Sequence, residues 1–118
     1  MLLCGESVMA RYIARANIDH YLNILNADVL LGAEHRAAMT KRLIAEEDRL
    51  SHDLEQLQFA EDRAAKGRER LKQVQRLRNK ADPMHRANAE RLAANVEAIQ
   101  NLLDSFCDRL RTMANSRL

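Results

Sequence analysis

The chain has no tryptophan, one proline, three glycines, two phenylalanines and two tyrosines in 118 residues. Sheet proteins of this size lean on turn formers and on β-branched and aromatic residues, so the shortage excludes a sandwich or barrel. Cysteine is equally scarce. Cys4 and Cys107 stand far apart with no paired spacing, and a reducing cytoplasm is the expected compartment. Long apolar runs are missing too: none approaches the roughly 20 residues that span a bilayer, so no membrane partner is expected. Met1–Ala10 has neither the basic start nor the apolar length of a signal peptide.

Catalytic and cofactor patterns are also lacking. The sequence shows no glycine-rich phosphate loop, no Ser/His/Asp set, no Glu-x-x-His pair of a di-iron bundle and no Cys-x-x-Cys-His haem site. Neither an enzyme nor a cofactor is expected. His52, with Asp48 one turn before it and Glu55 three residues after, is the nearest approach to a metal set. His20, His35, His52 and His85 read more simply as histidines on helix surfaces, His35 and His85 in first turns. Cys107 reads as a small hydrophobe beside an apolar seam.

What the chain does contain is alanine, leucine, arginine, glutamate, lysine and glutamine, all good helix formers. The fold class expected is all-α, in one domain over residues 1–118. The clearest signal lies near the end. Ala89, Leu92, Val96, Ile99, Leu103, Phe106, Leu110 and Met113 recur in steps of three and four, the mark of a helix packed along its length. Ala93, Leu102, Cys107 and Ala114 widen that face, which therefore calls for more than one neighbour.

Taken in order, residues 1–6 read as a loose leader and 7–26 as a first helix, with Ala14, Ile18, Tyr21, Leu22 and Leu25 at helical spacing. Val29, Leu30 and Leu31 in the following connection are expected to plug the end of a bundle. A second helical pattern then runs over 33–81 without a clear stop. Its seam reads Leu43, Leu50, Leu54, Leu57, Ala60, Ala64, Gly67, Leu71 and Val74. Unbroken, that helix would be a rod of roughly 70 Å. Gly67 is its one candidate break, but no cap residue or turn dipeptide follows it and it falls on the seam, so a continuous helix with a close approach at Gly67 is the expectation. Asp82-Pro83 marks a boundary, Asp at N-cap and Pro at the first helical position, opening a last helix over 83–114. An antiparallel return at Asp82 would set Phe106 on Ala60, Leu103 on Ala64 and Ile99 on Gly67.

Antiparallel hairpins around a long central helix leave only two helices side by side at any level. Two helices do not enclose a core. The expectation is therefore a homodimer with a four-helix, coiled-coil-like cross-section; a monomeric four-helix bundle bent near Gly67 is the alternative.

Net charge is only +2, but it is unevenly spread: residues 1–62 carry 6 basic and 11 acidic groups, residues 63–91 carry 10 and 3. An antiparallel dimer would juxtapose the two blocks. Nucleic acid is the other partner such a block suits, through Arg63, Lys66, Arg68, Arg70, Lys72 and Arg76, yet these residues scatter around the helical wheel and no aromatics interleave with them. A faint echo, His35-Arg36-Ala37 against His85-Arg86-Ala87, hints at a duplicated hairpin. The function expected is a non-enzymatic, self-associating interaction or adaptor protein. A nucleic-acid-binding regulator and a metal or cofactor bundle stand as alternatives.

Overall fold

The computed structural model describes residues 8–27, 31–50 and 53–116. They form four helices and, among the described residues, no strand: α1 (Val8–Leu25), α2 (Ala33–Arg49), α3 (Leu54–Lys80) and α4 (Arg86–Ser116). The chain divides into two compact units, Met1–Ser51 and His52–Leu118. Each contains one pair of packed helices, α1 with α2 and α3 with α4.

In the first unit, α1 buries Ala14, Ile18, Leu22 and Leu25. Steps of four, four and three keep these on one stripe. The helix closes with Asn26 N–H donating to Leu22 O at 2.9 Å and Ala27 N–H to Ile24 O at 3.3 Å. Gly32 stands at the N-cap of α2 in an extended conformation, with no side chain to cap the first turn. Glu34 in that turn and Arg49 in the last have the signs that suit the helix dipole. Of the three aliphatics in the connection, Val29 and Leu30 lie outside the described residues, as do the leader and Cys4; Leu31 is half-buried and its carbonyl accepts from Arg36 Nη1 at 3.5 Å.

The long helix expected over 33–81 is two helices, and the break is not at Gly67. α2 stops at Arg49, and Leu50 turns to extended backbone with ψ 149°. Asp53, also extended, caps α3: its carboxylate accepts from Gln56 N–H at 2.9 Å. An N-cap acid satisfies a donor that the first turn of any helix leaves orphaned, which makes this the cheaper place to interrupt the chain. Leu54, placed on the seam by spacing alone, falls in the first turn after the break and is 73% exposed. α3 then passes straight through Gly67 as helix.

In the second unit the return begins where Asp82-Pro83 predicts, but α4 starts at Arg86, three residues later than expected. Residues 83–85 form a turn held by Asp82, whose carboxylate accepts from the His85 backbone N–H at 3.0 Å and from the His85 ring at 2.8 Å. The ring hydrogen bond, then the backbone one, holds the Asp82 carboxyl below its ordinary value. Next to the turn, Val74, Ala93 and Val96 form a small core, with Leu71 and Leu92 packed against it.

Candidate functional site

Most seam residues of the second unit are covered or half-covered within one chain; Leu54, in the first turn of α3, is the exception. Ala60, Ala64, Gly67 and Val74 of α3 are buried, as are Val96, Ile99, Leu103, Phe106 and Leu110 of α4. Leu57, Leu71, Leu92 and Met113 are half-buried. In the first unit Leu43 and Leu50 are buried. The sequence argument for a second copy rests on stripes that too few helices could cover. With the α4 stripe covered, that argument loses its premise, and any surface for a partner has to be sought elsewhere.

The centre of the α3–α4 seam is polar. Gln100, 4% exposed, lies over Gly67, where the hairpin count placed Ile99. A Cβ at residue 67 would overlap Gln100 Oε1 and come within 3.1 Å of Leu103 Cδ1. Glycine therefore makes room for the amide. The amide nitrogen donates to Ala64 O and to Asp104 Oδ1, each at 3.0 Å, and Asp104 Oδ1 also accepts from Arg68 Nη1 at 3.3 Å. The chain of bonds crosses from α3 to α4 and back. A second link, Arg111 Nη2 to Glu61 Oε2 at 2.9 Å, ties the far end of the pair. These links run antiparallel, since residues early in α3 meet residues late in α4.

The basic segment is largely engaged close to home. Arg68 pairs with Asp104, Lys72 Nζ reaches Glu69 at 3.4 Å, and Arg70 donates to Gln73 at 2.9 Å. Arg63 is half-buried; Lys66 and Arg76 are exposed. The structure does not bring these six residues together as one open stripe.

Among the described residues, histidine and cysteine add no reactive cluster. His20 is exposed beside the Tyr21 ring at 6.0 Å, His35 is exposed, and His85 belongs to the Asp82 turn; His52 lies outside the described residues. Among the described residues no three histidine, cysteine, aspartate or glutamate side chains gather as a metal site. Cys107 is 2% exposed, and burial pushes its thiol above the ordinary value, against nucleophilic use.

No family model, curated protein or solved structure matches this chain. Function has to be argued from its own surfaces.

Two features of the first unit went unseen in the sequence. Val8, Met9, Tyr12 and Ile13 are 87%, 66%, 68% and 51% exposed and lie in the first two turns of α1, four apart in pairs, so they form one apolar patch. Glu46 and Glu47 are buried at 9% and 1% exposure. Both occupy seam positions between Leu43 and Leu50, and that spacing was their only signal. Among the described residues no helix is long and apolar enough to cross a membrane.

Proposed function

We propose that this chain is a non-enzymatic helical interaction protein that self-associates, with the first unit as its contact surface. The observation that carries the reading is the exposed patch of Val8, Met9, Tyr12 and Ile13. Single exposed hydrophobics are ordinary, but four large ones on adjoining turns of one helix are the usual mark of a docking face. A two-copy arrangement would withdraw them from water, and the tyrosine is a residue type that protein interfaces favour.

The nucleic-acid alternative has less behind it. Arg68, Arg70 and Lys72 already meet side chains of their own unit, and a phosphate backbone would have to compete for them.

Light scattering on the full chain at tens of micromolar tests the reading. The expected mass is twice the 13.5 kDa of one chain, and replacing Tyr12 and Ile13 with lysine should return it to the single-chain value. A single-chain mass for the unaltered protein overturns it.

A further inference from the structure

Helix α1 carries a projection and a recess side by side. The projection is the exposed patch, with Met9, Tyr12 and Ile13 on the outer side of the first two turns. The recess is a cleft of about 360 Å³ against α2, lined by Ala10, Ile13, Ala14, Glu46, Arg49 and Leu50. Ile13 belongs to both. Glu46 and Arg49 are paired with each other at 3.1 Å, so the recess offers a visitor no unmatched charge. What is left to fill lies between aliphatic walls and two short alanines, and close packing there calls for apolar side chains.

Self-association through the patch needs an apolar surface on the second copy to receive it. Among the described residues the other exposed large hydrophobics are Ile44, Leu54, Phe59, Leu77 and Met84. Ile44 is the one on α2, and Leu54 and Phe59 are about 140° apart around α3. Leu77 stands about 27 Å beyond Phe59 along that helix, and Met84 lies in the turn before α4. Scattered in this way, they form no surface on which four side chains could rest. The α1 patch with its cleft does. At exposures of 51–87% its four residues present roughly 500 Å² per copy, so two facing patches withdraw about 1,000 Å² from water, the floor for a specific interface.

We infer that self-association is isologous: α1 of one copy lies on α1 of the other across a two-fold axis, and each patch sets an apolar side chain into the other's cleft. The inference deepens the proposed function and rests on it. A two-fold contact uses one surface twice, so that surface has to be complementary to itself. A projection beside a recess meets that condition. The contact also closes at two copies, whereas α1 seated on any other face would leave a free patch at one end and a free receiver at the other.

Mixed pairs test it. The unaltered chain should pair with a Tyr12→Lys chain at least about tenfold more weakly than with itself, because an altered α1 spoils the contact from either side. A one-sided contact would instead seat the unaltered α1 on the altered chain at full strength. Ala10→Leu, which fills the cleft from its own side, should weaken the dimer by a similar factor while circular dichroism shows the same helix content. In a Cys4→Ser chain, a short bismaleimide should join two copies through Met9→Cys but not through Leu77→Cys or Met84→Cys. A monomeric unaltered protein sinks the self-association reading and this inference together. Full-strength mixed pairing, mass that grows past two copies, a dimer indifferent to Ala10→Leu, or links through 77 or 84 in place of 9 sinks the inference alone.

Discussion

The two units use the same parts, a pair of helices and one connection, and close them differently. In the second, small residues of α3 face large ones of α4, and Gly67 admits the Gln100 amide, so the pair meets closely at that level. In the first, Ala10 and Ala14 of α1 stand near the longer Glu46 and Leu50 of α2, and a cleft remains. The buried polar groups differ in kind as well: amides, Gln56 and Gln100, in the second; carboxylates, Glu46 and Glu47, in the first. A buried amide left partly unsatisfied costs less than a buried charge, and the second unit meets Gln100 through Ala64 and Asp104 while the first meets Glu46 through Arg49.

The strongest way to break this comparison is to empty equivalent leucine positions. Leu103→Ala, in the closed seam, should cost about 2–5 kcal/mol, whereas Leu50→Ala, on the cleft wall, should fall at the low end of that range because the site has room to collapse. Denaturant midpoints decide it, and a larger cost for Leu50→Ala would reverse the contrast. Next in size is Gly67→Ala. Crowding Gln100 should destabilise by about 1–3 kcal/mol, whereas in a Gln100→Ala background the same change should cost distinctly less, since helix propensity then opposes only the close approach to Leu103 Cδ1. Loss of the same amount in both backgrounds would mean that the amide is not what the glycine accommodates.

Asp53→Ala should remove about 0.5–2 kcal/mol by uncapping α3, with hydrogen exchange rising first in its opening turn. The smallest effect belongs to Asp82. Its carboxyl titrates lower folded than unfolded, so its contribution is complete above the ordinary value of 3.8 and fades as pH falls through the lower folded value. Asp82→Asn should therefore lower stability slightly at neutral pH, where that contribution is complete, and flatten the acid arm, so that the variant and the unaltered protein converge as pH falls.

How far the sequence could be read differs from element to element. The all-helical class followed from missing sheet and turn formers, and the buried stripe of α1 from spacing alone. The break at 50–53 escaped because Leu50, Leu54 and Leu57 continue the three-four rhythm across it, with no glycine or proline to interrupt. The signal present was chemical: Asp53-x-x-Gln56, an acid at N-cap with glutamine at the third helical position. Gln56 and Gln100 were missed for a related reason. Each sits in step with buried neighbours, Ala60 and Ala64 after one, Val96 and Leu103 around the other, but periodicity counted by apolar residues passes over polar ones. The echo around Arg36 and Arg86 has a counterpart in space: each guanidinium reaches the carbonyl five residues back, Leu31 O at 3.5 Å and Ala81 O at 3.3 Å.

Cys107 gives the second unit a built-in timer. Its sulfur is shut away between turns of α4 that also hold Phe106 and Leu110, so a thiol reagent modifies it only in the moments when that packing parts. With Cys4 changed to serine, the labelling rate becomes a direct gauge of how often this pair of helices breathes.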